Sequence, residues 1–439
     1  MDVLGMERGM DKEKLYTQYM YSYPHKTAYR KLENVRLTDW LPGLCGKENS
    51  LYVHIPFCQY KCGYCNLFSV TGATEEYMEW YIDAIERQAA QLSSVLPEGV
   101  AFADLTFGGG TPLMLPERLL ERIFKISEKF FDIPGEDTPV IVETSPNQTT
   151  LEKLEILKAH GCSRISIGVQ SFIEEELRAL HRFHSPDTVC EALARIRQVG
   201  FPTVNIDIIY GIQGQTRESL LVSLERALEY APEEMFVYPL YIKPGTALYR
   251  EDYHERNGEE EEHVRRLYET ARDFLTGQGY HQDSMRRFVR TKEPMDVSCG
   301  FSNTISLGCG GRSYVGNLHF CTPYALGQEG CLKRLSAYMD TKDFLRVEHG
   351  YILSEEEQKR RYVIKHILFG NGLKKEEYRA HFGGEAEQDF PELQAWEKKG
   401  YVQYTDRYIQ LTEEGMARSD GLGPRLISSA VRQRMESWQ

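Results

Sequence analysis

The 439-residue chain lacks the long apolar runs that membrane proteins need. No segment approaches the roughly 18 uninterrupted apolar residues that cross a bilayer. The first 20 residues contain no continuous apolar stretch of the kind that signal peptides carry. We therefore expect a cytoplasmic protein with no membrane span.

The chain also lacks any long block of lysine and arginine. Its formal net charge is -13, with 52 Lys and Arg against 65 Asp and Glu. Such a balance attracts no polyanion. We therefore expect no nucleic-acid partner.

The chain has ten cysteines, and we expect no disulfide framework for them. In a reducing compartment cysteines are better interpreted as metal ligands, reactive thiols or core residues. Cys162 and Cys190 lie among periodic apolar residues, which indicates small buried side chains. The exception is the segment LYVHIPFCQYKCGYCNLF, residues 51–68, where three cysteines lie within eight positions.

Short β-rich runs alternate with amphipathic helical stretches from Leu51 to about Tyr249. Six such runs can be identified: LYVHIPF, FADLTFGGG, TPVIVETSP, SRISIGVQS, TVNIDIIYG and EMFVYPLYIK. Consecutive βα units of this kind predict a parallel sheet, open or closed into a barrel, with ligands at the carboxyl ends of its strands. The fold class is therefore α/β.

The rest of the chain divides into three further regions by composition. We predict an N-terminal extension over 1–50, a core over 51–280, a Gly- and Cys-rich region of loops folded over the sheet at 281–350, and a C-terminal unit over 351–439. The last region combines helical patterns with a predicted hairpin, YVQYTDRYIQLT, which is typical of a winged-helix-like domain. Because the chain is acidic, we expect this unit to pack or dock rather than to bind DNA.

Cys58, Cys62 and Cys65 have the spacing C-x3-C-x2-C on a loop that leaves the first predicted strand. Zinc would need a fourth ligand, and His54 could supply it. His54, however, lies within the β-rich run. A [4Fe-4S] cluster held by three cysteines would instead leave one iron open for a ligand.

The sequence YVHIPFC followed by C-x2-C resembles the radical S-adenosylmethionine (SAM) superfamily, in its oxygen-independent coproporphyrinogen III oxidase-like branch, which includes the heme chaperone HemW. The resemblance implies a partial (β/α)6 barrel of the TIM type with a C-terminal helical domain. It also implies a [4Fe-4S] cluster on the three cysteines, whose open iron binds one or two molecules of SAM, and a reducing electron donor such as flavodoxin or ferredoxin. Cleavage of SAM to a 5'-deoxyadenosyl radical would begin the reaction.

Polar or glycine residues end the later strands, where cofactor contacts belong. Glycines let the backbone approach a ligand closely, and the Gln170 amide offers both donors and acceptors. Asp207 lies in an apolar run and needs a partner, either Arg182 or a ligand. The positions that match cofactor-binding residues of the family are Tyr52, Tyr64, Gly109, Gly110, Thr111, Glu143, Gln170, Arg182 and Asp207.

The chain departs from the family at two places. Asn66 stands where the strict oxidases carry a further cysteine, and SCGFSNTISLGCGGRSYVG at 298–316 replaces the chaperone's H-N-x2-Y-W motif. The leading hypothesis remains a radical SAM enzyme acting on a porphyrinogen or another tetrapyrrole. Two alternatives stay open, a heme-binding chaperone and a radical C-methylase or cyclopropanase.

Two minor hypotheses concern other side chains. Heme could be ligated by His181, His184, His319 or Cys321. An auxiliary cluster could use Cys299, Cys309, Cys321 and Cys331, although their wide spacing without a CxxC pair argues against it.

Overall fold

An open half-barrel of parallel strands forms the centre of the computed structural model, which describes residues 14–133, 135, 138–252, 254–291 and 302–438. Up to the end of the half-barrel the elements are β1 (Arg30–Arg36), β2 (Asn49–Ile55), β3 (Phe57–Cys58), β4 (Val70–Thr71), α1 (Glu75–Ser93), β5 (Asp104–Gly109), α2 (Glu117–Phe131), β6 (Val140–Thr144), α3 (Leu151–Ala159), β7 (Cys162–Gln170), α4 (Glu174–Ala179), α5 (Pro186–Val199), β8 (Thr203–Tyr210), α6 (Arg217–Leu228), β9 (Glu234–Pro239), α7 (Ala247–Asp252) and α8 (Gly258–Gly277).

The six predicted strands are confirmed as β2, β5, β6, β7, β8 and β9. Each pairs in parallel with the next, so all six carboxyl ends lie at one edge. Apolar side chains that cover one face of the strands contribute to this, since Ile165, Ile167 and Ile206 lie on the same face and are fully buried. Several helices between the strands begin at a side-chain cap; Thr74, for example, accepts a hydrogen bond from the backbone N-H of Tyr77 at 3.2 Å.

Residues 281–352 continue the sheet beyond both sides of the half-barrel. Their elements are β10 (His281–Gln282), β11 (Arg287–Val289), β12 (Asn303–Leu307), β13 (Arg312–Val315), β14 (Leu318–Cys321), α9 (Gln328–Met339) and β15 (Arg346–Ile352). β11 pairs with β9 on one side, while β12 pairs in parallel with β2 on the other. β13, β14 and β15 follow as an antiparallel meander, and β1 pairs with β15.

The interpretation of this region as loops is therefore wrong for its described residues. The glycines between β12 and β13, Gly308, Gly310 and Gly311, serve close packing rather than a flexible connection. A Cβ atom on Gly308 would lie 2.6 Å from the carbonyl oxygen of His54, and one on Gly311 would overlap the Ser306 hydroxyl. These glycines are needed because the backbone packs closely against the half-barrel. Amino-acid composition alone cannot distinguish this close packing from a turn.

The C-terminal region is mainly helical with one small sheet. Its elements are α10 (Glu355–Ile367), β16 (Leu373–Lys374), α11 (Lys375–Phe382), α12 (Ala386–Asp389), α13 (Pro391–Lys398), β17 (Val402–Tyr404), β18 (Tyr408–Leu411), α14 (Glu413–Ala417), α15 (Ser419–Leu422) and α16 (Ser429–Glu436). The predicted hairpin is confirmed as β17 and β18, and β16 adds a third strand. Among the helices of the described residues, none combines the length and apolarity needed to span a membrane.

Candidate cofactor cavity

A cavity of about 880 Å³ opens at the carboxyl ends of the parallel strands. Of the residues predicted to bind a cofactor or metal, it is lined by Cys58, Cys62, Tyr64, Cys65, Gly109, Gly110, Thr111, Glu143, Gln170, Arg182 and Asp207. These residues are spread over 150 positions of sequence. The parallel strand order brings them to one place.

The three cysteines lie on an excursion between two very short strands. Cys58 is in β3, which pairs with β4, so the two ends of the excursion are held together. Within it the backbone N-H of Cys65 donates to the carbonyl oxygen of Cys62 at 3.1 Å, and the N-H of Gly63 donates to the carbonyl oxygen of Leu180 at 3.0 Å. The loop is therefore anchored to the rest of the half-barrel.

The electrostatics of these thiols favour a positively charged occupant. Burial raises the pKa of Cys58 to about 12, and the neighbouring cysteines raise it further. Burial also raises the pKa of Cys65. Thiolates are the form that binds metal, and a bound metal supplies the charge that stabilises them.

The geometry favours a cluster over a single zinc ion. Among the described residues, no three His, Cys, Asp or Glu side chains converge on one ion position. A [4Fe-4S] cluster does not need such convergence, because each cysteine binds a different iron. His54 is also unsuited to be a fourth zinc ligand, since Nε2 lies 3.1 Å from the carbonyl oxygen of Phe68 and Nδ1 lies 3.3 Å from the Tyr52 hydroxyl.

The glycines after β5 are required by close packing around the cysteine loop. A Cβ atom on Gly110 would lie 2.8 Å from the carbonyl oxygen of Phe57 and 3.0 Å from the sulfur of Cys58. Gly109 has a φ of +119°, and a Cβ there would lie 2.7 Å from the His54 ring. The backbone N-H of Thr111 donates to the carbonyl oxygen of Phe57 at 2.8 Å, which fixes this turn against the loop.

Glu143 lies at the end of β6 with its carboxylate directed at the glycine turn. Its Oε2 accepts a hydrogen bond from the backbone N-H of Gly109 at 3.2 Å. Burial raises its pKa. Tyr52 lies near this carboxylate, because a Cβ on Gly108 would come within 2.8 Å of both the Tyr52 hydroxyl and Glu143 Oε2. Tyr52 is the one predicted residue that is not among those lining the cavity.

Gln170 and Arg182 are buried polar residues beside the cysteine loop. Gln170 ends β7 at a bulge and has a φ of +73°, a conformation that costs a non-glycine residue energy and that concentrates at functional sites. Arg182 places Nη1 3.1 Å from the sulfur of Cys62 and donates through Nη2 to the carbonyl oxygen of Gly168. Its buried Nε has no hydrogen-bond partner within the described chain.

Asp207 is partnered by a neighbour on its own strand rather than by Arg182. The Asn205 side-chain amide donates to Asp207 Oδ1 at 2.7 Å. The pKa of Asp207 is raised to about 7, chiefly by burial and to a smaller extent by the charge of Glu143. Glu143, which is exposed to solvent, and the half-buried Asp207 thus share the cavity, which suits a ligand with positive charge.

Sequence reasoning missed a second wall of the cavity, which we call the aromatic wall. It consists of Tyr19, Tyr21, His25, Tyr238, Tyr241, Lys243, Tyr324, Ile427, Arg432, Met435 and Trp438. Most of these residues come from the two ends of the described chain. Aromatic residues spread over the N-terminal segment YSYPHKTAYR were the available signal, but nothing in the sequence indicated that they meet α16.

The side chains suggested for heme or an auxiliary cluster lie away from this cavity. His181, His184, His319 and Cys321 are not among its lining residues. His319 is fully buried with its ring edge-on to Tyr314. Cys309 and Cys331 are fully buried core thiols, and Cys299 lies outside the described residues.

The chain is similar in sequence to known proteins. The family model of the Radical SAM superfamily matches residues 52–227. The chain is 26% identical to the oxygen-independent coproporphyrinogen III oxidase of Escherichia coli (strain K12), over 91% of this chain and 92% of that protein. It is also 26% identical to the heme chaperone HemW of Bacillus subtilis (strain 168), over 83% of this chain and 96% of that protein.

A solved structure with the same fold is coproporphyrinogen III oxidase (HemN) from Escherichia coli, described as a radical SAM enzyme. The TM-score is 0.79 at 23% sequence identity, covering 93% of this chain and 96% of that chain. The fold similarity therefore extends over the half-barrel, the added strands and the C-terminal region.

Proposed function

We propose that this chain belongs to the radical SAM superfamily, within its HemN- and HemW-like branch, and that it is an enzyme using a [4Fe-4S] cluster and SAM to carry out radical chemistry on a tetrapyrrole or similar substrate. The observation that carries the proposal is the single cavity on which the three motif cysteines and the polar strand ends open together. The proposed reaction class is that of coproporphyrinogen III oxidase, which is an oxidoreductase.

Cys58, Cys62 and Cys65 would hold the cluster. Their half-buried thiols repel one another as anions, and no carboxylate or histidine of the described chain joins them at one metal position. Three ligands on a cluster leave one iron for SAM. When bound, the cluster and SAM together supply the one-electron chemistry that produces a 5'-deoxyadenosyl radical.

The strand-end residues would bind and orient SAM. The glycine turn at 108–110 lets backbone N-H groups approach the ligand, and Glu143 and Asp207 lie where a cationic group would offset their burial. Arg182 has a buried N-H without a partner in the described structure, which suits the SAM carboxylate. Gln170 is held in a strained conformation with its side chain at the same mouth.

The aromatic wall would hold the substrate and exclude water from the reacting atoms. Tyr238 lies at the end of β9 and Tyr241 follows that strand, while Trp438 comes from the C-terminal end and its ring centroid lies 5.2 Å from that of Tyr324. Flat faces of this kind suit a macrocycle or another extended apolar ligand. We further propose a cytoplasmic location, a soluble electron donor such as flavodoxin or ferredoxin, and no nucleic-acid partner.

The test is an anaerobic turnover assay with reconstituted, reduced protein, SAM and coproporphyrinogen III. We expect 5'-deoxyadenosine to form in the presence of substrate, together with a substrate product that has lost carboxyl carbons. The matched control is the Cys58→Ala/Cys62→Ala/Cys65→Ala variant, which should form neither. Absence of any SAM cleavage with every reductant tried would contradict the enzyme proposal.

The second candidate function is heme binding without turnover, because the HemW match covers 96% of that protein. Stoichiometric heme binding without SAM cleavage would favour it. The four side chains first suggested as ligands do not line the cavity, whereas His25 does. A His25→Ala variant would therefore be the first to examine by heme absorbance. A methylated product in the turnover assay would instead identify a C-methylase.

A further inference from the structure

The charge beside the aromatic wall is opposite in sign to the charge of the molecule. The chain carries a net charge of -13. Lys61, Lys243 and Arg432 nevertheless line the cavity, and Lys26 and Arg312 lie next to it. The carboxylate that lines this wall, Glu436, is on the exposed surface of α16. A local excess of cations in an acidic protein calls for a ligand that offsets it.

Lys26 is the most unusual of these cations. Its side chain is nine-tenths buried, and its ammonium lies 3.6 Å from the centroid of the Tyr324 ring. Within the described residues no carboxylate lies within 4 Å of that ammonium. A cation–π contact offsets only part of the cost of burying a charge. An anion bound beside Lys26 would supply the rest.

Lys243 is a second cation that acts on His25, and its side chain is half-buried. Its ammonium donates to the carbonyl oxygen of Thr17 at 3.0 Å and lies 5.1 Å from the centroid of the Tyr241 ring. It too has no carboxylate within 4 Å in the described structure. His25 lines the cavity and is affected by all three cations. Its pKa is lowered first by burial and then by the charges of Lys26, Arg312 and Lys243.

From these contacts we infer that Lys26 and Lys243, supported by Arg312, form an anion subsite that takes carboxylate groups of the substrate. Arg312 is held in place by stacking 4.5 Å from the Tyr21 ring centroid and by donating to the Ser22 hydroxyl. Glu143 and Asp207 lie at the strand ends of the cavity, whereas the subsite lies beside Lys243 of the aromatic wall. A ligand would therefore place its cationic part at the strand ends and its carboxylates here. This inference rests on the proposed function, because it deepens the substrate side of the same cavity.

The test uses reconstituted holoprotein under anaerobic conditions and two stable probes, coproporphyrin III and its uncharged tetramethyl ester in the same mild detergent. We expect the acid to bind at least about tenfold more tightly than the ester, as charge-assisted hydrogen bonds require. Lys26→Met and Lys243→Met should each weaken acid binding by about 10- to 100-fold and leave ester binding unchanged. Lys26→Arg should restore most of the loss.

A matched control is Lys158→Met. Lys158 also combines a cation–π contact, 5.9 Å from the Phe201 centroid, with a hydrogen bond to a backbone carbonyl, but it does not line the cavity. Its replacement should leave binding of both probes unchanged. Thermal melting and iron content of every variant show whether the fold and the cluster are intact. Equal binding of acid and ester, with no effect of Lys26→Met, would overturn the subsite while leaving the radical enzyme proposal standing.

Two further measurements separate the other outcomes. If wild-type protein binds neither porphyrin, the tetrapyrrole proposal fails, and thermal stabilisation by tricarballylate decides the subsite. A shift that disappears in Lys26→Met supports it, and no shift in wild type overturns it. Radiolabelled SAM tests the other source of a carboxylate. Loss of one bound SAM per chain in Lys26→Met would assign the subsite to a second SAM and overturn the substrate assignment.

Discussion

At the scale of single residues, the site is built from groups that are costly to bury and are incompletely compensated by the described protein. Glu143 and Asp207 are carboxyls at the cavity, and desolvation raises the pKa of each. Arg182 has an N-H without a partner in the described chain, and Gln170 occupies a strained backbone conformation. Costs of this kind persist where a ligand offsets them.

Asp207 should make SAM binding depend on pH. Its pKa is raised from 3.8 to about 7, chiefly by burial. SAM carries a permanent positive charge, so the ionised carboxylate binds it better. We expect SAM affinity, measured by equilibrium dialysis with holoprotein, to rise by up to about tenfold per pH unit below pH 7 and to level off above it. Asp207→Asn should bind weakly at every pH and lose this dependence.

The raised pKa of Asp207 also determines how the stability of the ligand-free protein changes with pH. Between pH 3.8 and about 7 the folded protein retains a proton on Asp207 that the unfolded chain releases. The contribution of Asp207 to the free energy of unfolding therefore falls as pH rises through this window. Asp207→Asn should be more stable than wild type at pH 8 in SAM-free urea denaturation. A variant less stable than wild type there would contradict the raised pKa.

Gly110 should be essential for cluster assembly because of its contacts rather than its flexibility. A Cβ atom at this position meets the Phe57 carbonyl oxygen at 2.8 Å and the Cys58 sulfur at 3.0 Å. We expect Gly110→Ala to displace the loop and lower iron incorporation several-fold, measured as iron per folded chain. The matched control is Gly43→Ala, where a Cβ meets nothing within 4 Å. Equal loss of iron in both variants would contradict the steric argument.

At the scale of secondary-structure elements, strands with a run of apolar residues could be predicted from the sequence. Strands whose burial depends on residues elsewhere in the chain could not. β8 could be predicted because Ile206 and Ile208 identify it directly. β12 and β13 could not, because Gly308 and Gly310 interrupt the pattern, and their need for glycine arises from Tyr81, Phe68 and His54 elsewhere in the chain. The cofactor residues at the strand ends came from the resemblance to the family rather than from the apolar pattern, and their roles stay a prediction.

A buried ion network joins three strands at the ends opposite the cavity. Glu234 on β9 accepts hydrogen bonds from Arg164 on β7 and from Arg287 on β11, each at 2.7 Å. Its side chain is 3% exposed. We expect Glu234→Gln to lower the free energy of unfolding by about 3–5 kcal/mol, since it leaves buried guanidinium groups poorly compensated.

The neighbouring residue offers a control for this prediction. Glu233 pairs with Arg197 at 3.1 Å, but its side chain is 38% exposed. Glu233→Gln should cost no more than about 1 kcal/mol, as solvent-screened pairs do. Urea denaturation of both variants measures the difference. Similar losses would show that burial does not govern the strength of this network.

At the scale of the whole molecule, distant parts of the chain share the work of enclosing one cavity. The half-barrel supplies the cysteines and strand ends, and the two ends of the described chain supply much of the aromatic wall. Tyr23, Glu357 and Ser428 join these ends, since the Glu357 carboxylate accepts hydrogen bonds from both hydroxyls. This contact between the two ends cannot be predicted from a local stretch of sequence. Tyr23 and Ser428 are more than 400 positions apart, and none of the three residues belongs to a recognisable motif.

The molecule should carry one iron–sulfur centre. Of the remaining cysteines, Cys162, Cys309 and Cys331 are buried in the apolar core, and the Cys309 thiol donates to the Thr322 hydroxyl oxygen at 3.6 Å. We expect about four irons per chain after reconstitution, which is the content of a single [4Fe-4S] cluster. Cys309→Ser/Cys331→Ser should retain that content, because neither thiol lies at the cavity.

The Cys58→Ala/Cys62→Ala/Cys65→Ala variant should retain no iron under the same conditions. Iron and sulfide analysis, with circular dichroism as a check of folding, measures both variants side by side. If the triple variant still held about four irons and the Cys309→Ser/Cys331→Ser variant lost half of its iron, an auxiliary cluster would exist. Cys309 and Cys331 are fully buried among apolar side chains, so a cluster could reach them only if the core opened. The physical cost of that opening is why we expect a single centre.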